Sequence, residues 1–196
     1  QLTMMNGYLK QGKKNEIVVF DLFFRQNGTI TYSLACGLEQ AVDYILNLNF
    51  GKEEIDYLRS LNAFDDEFLD YLKDFKFSGD VYSVPEGTVV FPGEPILTVK
   101  APIIEAQLIE TALLNIINFQ TLIASKSAKI NYAAKGDPVM EFGLRRAQAP
   151  DAGIYGARAA IIGGCSSTSN VLTAQMFGTS ASGTHAHSWV MSFDSE

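Results

Sequence analysis

The run Pro138-Val139-Met140-Glu141-Phe142-Gly143-Leu144-Arg145-Arg146 decides the fold class through what it begins. Pro138 to Phe142 is short and largely apolar, stops at a glycine, and reads as a strand. Asp151 then offers an N-cap for a helix running to about Ile162, ended by Gly163-Gly164. Asn170 to Phe177 reads as a short helix and Gly183 to Val190 as extended chain. Strand, helix and strand in alternation predict an α/β fold with a parallel layer. In β/α barrels the reactive side chains stand where strands end and loops begin. Glu141 to Arg146 and Thr184 to His187 both fall at such points.

Upstream, Glu105 to Lys135 is the longest helical pattern. Leu108, Ala112, Leu113, Ile116, Ile117, Leu122 and Ile123 spread over a wide arc, which predicts a buried helix. Before it, Gly79 to Val99 alternates apolar residues around Pro85-Glu86-Gly87 and Pro92-Gly93-Glu94-Pro95, the pattern of short strands and tight turns. The stretch resembles a lipoyl-type or hammerhead β-module; no lysine sits at either turn tip, so a structural role is expected. Ile17 to Phe24 is β-branched and aromatic and reads as a strand. Asn27-Gly28 is a hairpin-turn signal, after which Thr29 to Ala35 resumes extended. Leu38 to Leu48 has helical spacing with Gly51 as a stop, and residues 52–76 read as two short, acidic, solvated helices.

The 196 residues are 47% hydrophobic and 19% charged, the usual balance of a globular chain. A net charge of −7 leaves no basic footprint for nucleic acid, and it requires any phosphate site to rest on local arginines. Cys36 and Cys165 lack metal-site or disulfide-framework spacing and read as two free buried thiols. No uninterrupted apolar run reaches the roughly 20 residues of a membrane span, and Gln1-Leu2-Thr3-Met4-Met5 has no signal-peptide character. A cytoplasmic protein without membrane or nucleic-acid partners is expected. Both ends read as cut.

Several residues carry possible chemistry. His185 and His187 are the two histidines, and on a strand they would share a face. Three readings stand: polar strand-end residues, a metal pair needing further ligands such as Glu141, or a catalytic histidine acting as nucleophile or base. Arg145 and Arg146 suit a phosphate, with Gly143 allowing close approach; the alternative is a surface ion pair. Phe142 is either core or a flat ring for stacking. Ser166-Ser167-Thr168-Ser169-Asn170 either caps the following helix or binds an anion there. Walker, Rossmann and nucleophile-elbow signatures are absent.

Taken in order, Val18-Val19-Phe20-Asp21-Leu22-Phe23-Phe24-Arg25, Glu105 to Asn118, Glu141 to Gln148, Ser169-Asn170-Val171-Leu172 and Gly183-Thr184-His185-Ala186-His187-Ser188-Trp189-Val190 resemble the nicotinate phosphoribosyltransferase family over essentially the whole chain. The resemblance implies a type II phosphoribosyltransferase fold. Residues 1–118 would form an N-terminal mixed α/β domain with the hammerhead-like module near 79–100, and residues 119–196 would start an irregular, incomplete β/α barrel. It implies conversion of nicotinate and phosphoribosyl pyrophosphate to nicotinate mononucleotide and pyrophosphate, coupled to ATP hydrolysis with Mg²⁺. This is the first step of NAD salvage from nicotinate. It implies a homodimer, no tightly bound organic cofactor and no protein-held metal.

Carried over, His187 matches a transiently phosphorylated histidine. Phe142 matches a ring that stacks on the pyridine, Thr184 a nicotinate contact, and Arg145 a phosphate contact, with Arg146 beside it. The position of Ser169 is an aspartate in the related nicotinamide enzyme, so a neutral serine favours the acid. The alternatives are that nicotinamide enzyme, a quinolinate-using cousin, a non-catalytic module of the same fold, or a metal-dependent hydrolase using His185 and His187. A family tyrosine expected just before Gln1 and the barrel strands beyond Glu196 lie outside the sequence, so residues 1–196 alone are expected to be inactive.

Overall fold

A computed structural model describes residues 1–26, 28 and 30–194. The chain divides into two compact units, Gln1–Asn118 and Phe119–Glu196. Asn27, on which the hairpin-turn reading rests, and Thr29, where the extended segment after it was expected to start, lie outside the described residues.

The first unit opens with a helix that the sequence pattern did not announce, α1 (Leu2–Lys10). Gln1 makes no side-chain capping bond to the helix backbone and Gly7 interrupts the run, so the local signal of α1 is weak. Packing holds it instead, because Met5 is fully buried in one cluster with Ile55, Leu58, Phe68, Leu69, Leu72 and Ile104. Each such side chain contributes roughly 1.5–3 kcal/mol when taken out of water. Strand β1 (Ile17–Leu22) and β2 (Ser33–Leu34) follow, then α2 (Leu38–Asn47), α3 (Lys52–Ser60) and α4 (Asp66–Lys73). The helices α3 and α4 are acidic outside but supply most of that buried cluster, so they are not merely solvated. On α4, Tyr71 lies under the Lys14 ammonium, 5.0 Å from its ring centre. Burial, with the nearby Glu105 carboxylate second, pushes its hydroxyl up to about 12.

The glycine-rich stretch then gives β3 (Asp80–Ser83), β4 (Val89–Val90) and β5 (Leu97–Pro102). Strands β1, β5 and β3 form one antiparallel sheet in that order, with Phe20 opposite Val99 and Val81 opposite Val99 on its other side. The pair β2–β4 is also antiparallel. Leu97, Val99, Ala101, Ile109, Leu113 and Ile117 fill the core between the sheet and the long helix α5 (Ile103–Ala133). The turn Pro85-Glu86-Gly87 does structural work. One Glu86 oxygen accepts from the backbone N–H of Gly37 at 2.5 Å and of Leu38 at 3.0 Å, satisfying the start of α2. Gly37 adopts φ +107°, and a Cβ there would stand 3.0 Å from the carbonyl oxygen of Ile116. Gly51 is the N-cap of α3 rather than the stop of α2.

By length and composition α5 is apolar enough to cross a membrane, although polar residues interrupt its apolar run. Its interior positions nevertheless include buried Glu105, Gln107, Gln120 and Thr121, the marks of a helix packed within protein. Glu105 accepts from Ser78, from its N–H at 2.6 Å and its hydroxyl at 2.9 Å.

In the second unit the character of the core changes. Gln120, Thr121, Ala124, Ser125 and Ser127 are buried on α5, while Leu122, expected inside, is 50% exposed. Small side chains permit close approach: a Cβ on Gly163 would lie 2.5 Å from the carbonyl oxygen of Ala124. After α5 come β6 (Met140–Glu141), a 3-10 turn (Leu144–Arg146), α6 (Pro150–Ile162), β7 (Ser167–Thr168), α7 (Val171–Phe177) and α8 (His187–Val190). Strands β6 and β7 are parallel, with Met140 opposite Ser167 and Glu141 opposite Thr168. A parallel bridge joins Thr168 to Ala181, fixed by Thr168 N–H to the Ser180 oxygen (3.1 Å) and Ser182 N–H to the Thr168 oxygen (3.0 Å).

Three expectations are corrected here. Asp151 lies in the first turn of α6, where Pro150 takes the initial position; the cap is Ala149, held at φ 84°. Ser167 and Thr168 form a strand, leaving Asn170 to cap α7 through its side-chain oxygen and the Thr173 N–H (3.3 Å). Gly183 to Val190 is not extended throughout, because His187 begins the one-turn helix α8 and so no strand places His185 and His187 on one face. Cys36 and Cys165 are buried thiols not joined in a disulfide.

Candidate functional site

In a parallel ladder every strand ends at the same edge, and loops leaving that edge become neighbours whatever their separation in sequence. In the second unit, Glu141, Thr168 and Ala181 form one row across the sheet. Each strand end then releases part of the predicted site. Phe142, Gly143 and the Leu144–Arg146 turn leave β6. Ser169 and Asn170 leave β7, and Ser182 to His187 leave the third strand position. The fold therefore gathers Phe142, Ser169 and Thr184 on loops at one edge, and the same loops carry Arg145, Arg146 and His187.

The exposure of these groups suits contact with a ligand. Phe142 is 41% exposed, so the core alternative does not hold for it. Ser169 is half-buried, and its N–H donates to the Glu141 carbonyl at 3.0 Å. Arg145 and Arg146 are exposed, and among the described residues neither makes an ion pair. Thr184, His185 and His187 are exposed as well. The ring of His185 stacks on Trp189 with centres 5.8 Å apart and planes at 22°, and Trp189 meets Phe193 edge-on at 5.0 Å. That stacking sets the two histidines apart, since His185 is committed to Trp189 while His187 starts a helix turn. Among the described residues no group of three His, Cys, Asp or Glu side chains is placed to hold a metal.

The sequence reading gave Glu141 no role beyond that of a distant metal candidate. In the structure its carboxylate is a hub. One oxygen accepts from the Gly143 N–H, and the other from the Thr168 hydroxyl at 2.6 Å. Thr168, fully buried, in turn accepts from the Asn170 N–H at 3.0 Å. A carboxylate two residues before a glycine at a strand end was the available signal for this.

With this geometry in hand, the match to known proteins is specific. The model of the nicotinate phosphoribosyltransferase N-terminal domain matches residues 1–118, more than half of the chain. The chain belongs to the nicotinate phosphoribosyltransferase family. The enzyme of that name from Mycobacterium tuberculosis is 44% identical over 197 residues, covering 100% of this chain and 42% of the relative. The one from Bacillus subtilis is also 44% identical, covering 100% of this chain and 40% of the relative. The crystal structure of human nicotinic acid phosphoribosyltransferase superposes with a TM-score of 0.90 at 34% identity, over 98% of this chain and 40% of that one. A nicotinate-nucleotide pyrophosphorylase from Pyrococcus furiosus superposes at 0.77 with 25% identity, over 99% of this chain and 42% of its own. The chain thus spans about two fifths of the length of the family members it matches. Its fold is the family's mixed α/β N-terminal part followed by the first part of a β/α barrel, the type II phosphoribosyltransferase arrangement.

Proposed function

We propose that this chain is the part of a nicotinate phosphoribosyltransferase that carries one side of the pyridine site and the ATP-responsive histidine. The reaction joins nicotinate to the ribose phosphate of phosphoribosyl pyrophosphate and releases pyrophosphate, the first step of NAD formation from nicotinate. The observation that supports it best is the convergence of Phe142, Ser169 and Thr184 at one sheet edge in a chain of this family. Phe142 offers an exposed ring for the pyridine, and Thr184 and Ser169 offer neutral polar contacts to its carboxylate. Arg145, with Arg146 beside it, offers an unpaired fork for a substrate phosphate. Charge develops at the ribose as pyrophosphate leaves, so these groups would act by orienting and by electrostatics.

His187 would accept the γ-phosphoryl group of ATP on a ring nitrogen, releasing ADP, and later lose it to water as phosphate. Mg²⁺ belongs with the phosphates of the substrates. Glu141 accepts on both oxygens from Gly143 and Thr168, and among the described residues it belongs to no group of three side chains that could hold a metal. The working form is a homodimer in the cytoplasm.

The test is turnover by the full-length protein with nicotinate and, separately, nicotinamide, with and without ATP. Nicotinate should be preferred and ATP should raise the rate; preference for nicotinamide would overturn the substrate assignment. The His187→Ala variant should lose label transfer from γ-labelled ATP and lose the ATP effect, and an unchanged ATP dependence would remove His187 from the scheme.

A further inference from the structure

We propose that Glu141 is a positioning residue that locks two walls of the nicotinate site in register, an inference that rests on the function proposed above. Its carboxylate spans the ends of β6 and β7. The Gly143 N–H donates to one oxygen, holding the turn that carries Phe142 and Arg145. The Thr168 hydroxyl donates to the other at 2.6 Å, holding the strand end that carries Ser169. The direction of this second bond is fixed, because a carboxylate can only accept, so the Thr168 hydroxyl gives its single proton to Glu141 while its oxygen accepts from the Asn170 N–H at 3.0 Å. Asn170 continues the chain by accepting from the Thr173 N–H at 3.3 Å at the start of α7. A connected series therefore runs from the Phe142 loop through Glu141, Thr168 and Asn170 into α7.

Two further observations make this more than an incidental surface bond. Thr168 is fully buried, so its hydroxyl has no water to fall back on. Gly143 lies directly against the carboxylate: a Cβ there would stand 2.8 Å from the Glu141 oxygen and would displace that side-chain end. The clamp also has an electrostatic consequence. A carboxylate four residues before Arg145 could neutralise it, yet Glu141 faces Gly143 and Thr168, and Arg145 makes no ion pair among the described residues. The arginine stays available for phosphate while the negative charge is tied down by donors. Glu141 does not itself touch substrate in this scheme; it acts through Phe142 and Ser169.

The experiment uses the full-length protein, with nicotinate KM and kcat from steady-state turnover and nicotinate Kd from calorimetry. Glu141→Gln and Thr168→Val should each raise nicotinate KM and Kd by about tenfold or more, the scale of a lost hydrogen bond to a charged group. The double variant should lose less than the sum of the two single losses, because both changes break the shared Glu141–Thr168 bond. Thr168→Ser, which retains the hydroxyl, should restore nicotinate binding relative to Thr168→Val. Gly143→Ala pushes on the clamp from its exposed side and serves if Thr168→Val does not fold; it too should raise nicotinate KM. A lower melting temperature with unchanged nicotinate Kd in Glu141→Gln and Gly143→Ala would show a structural role only and overturn the proposal. So would additive losses in the double variant. If the wild-type protein turns over no nicotinate, the functional reading itself fails and this inference falls with it; wild-type turnover with insensitive variants would sink the clamp alone.

Discussion

Replacing Ser169 with aspartate separates substrate choice from stability. Ser169 is half-buried directly after β7, its N–H bonded to the Glu141 carbonyl at 3.0 Å. A carboxylate introduced there would face the carboxylate of bound nicotinate. Two unit charges about 4 Å apart at an effective dielectric of about 20 repel by roughly 4 kcal/mol. Half-exposure of the position lowers this to about 2 kcal/mol, or roughly a 30-fold loss in kcat/KM for nicotinate. Stability should respond differently. Position 169 precedes the Asn170 cap of α7, where a negative charge gains about 0.3–1 kcal/mol from the helix N-terminus. The nearby Glu141 offsets part of that gain, so Ser169→Asp should leave the urea midpoint nearly unchanged. Ser169→Asn, similar in size and neutral, is the control and should keep nicotinate use within a few-fold. The assay is kcat/KM for nicotinate in the full-length protein, paired with urea unfolding. A loss under threefold, an equal loss in Ser169→Asn, or a parallel fall in stability would each refute the charge argument.

Other outcomes follow from single contacts. Arg145→Ala should raise KM for phosphoribosyl pyrophosphate about 10- to 100-fold with an unchanged melting temperature, since the side chain is exposed and unpaired among the described residues; a matching drop in melting temperature would mean a folding role instead. Glu86→Ala strips the N–H groups of Gly37 and Leu38 of their acceptor and should cost about 2–3 kcal/mol in urea unfolding, against about 1 kcal/mol for Glu86→Gln, which keeps one oxygen. A cost below about 0.5 kcal/mol for Glu86→Ala would remove the cap from the account. The Tyr71 hydroxyl, raised by burial first and then by Glu105 to about 12, ionises less readily in the folded chain than in the unfolded one, near 10. Its contribution is complete below pH about 10 and is lost as pH rises towards 12. Tyr71→Phe should flatten that alkaline loss, and identical alkaline unfolding curves would contradict it.

What the sequence made legible follows from where local pattern and tertiary packing agree. Helix α5 was plain because its apolar arc is long, and the end of α6 was marked by the Gly163-Gly164 pair, whereas its start was read from Asp151 although Ala149 is the cap. Helix α1 was not, since it carries no side-chain cap and owes its place to Met5 entering a cluster built largely by α3 and α4. Strand β7 was hidden because Ser167 and Thr168 look like turn residues; their burial comes from neighbours far along the chain. The same limit applied to the site. The resemblance singled out Phe142, Arg145, Ser169, Thr184 and His187, but nothing in residue order joins Glu141 to Thr168, because only the parallel register brings them together. Leu122 failed in the opposite sense, being apolar on a helix whose buried face turns polar and small after Asn118.

The parallel ladder of β6, β7 and Ala181 also governs when the site comes into being. Glu141 and Thr168 are 27 positions apart, and their pairing waits on the whole α6 crossover. Loop closure of that length must be met before any contact rewards it, so such pairings form late in folding. Local contacts favour early helix formation, whereas the relation of the strand-end loops to one another depends on these slower non-local pairings. With strands only two residues long, the ladder supplies few bonds of its own. A ligand that touches all three loops would then act as a tie across them, raising the unfolding free energy with its concentration. Ligand-dependent protection from unfolding should concentrate at residues 140–142, 167–170 and 180–184.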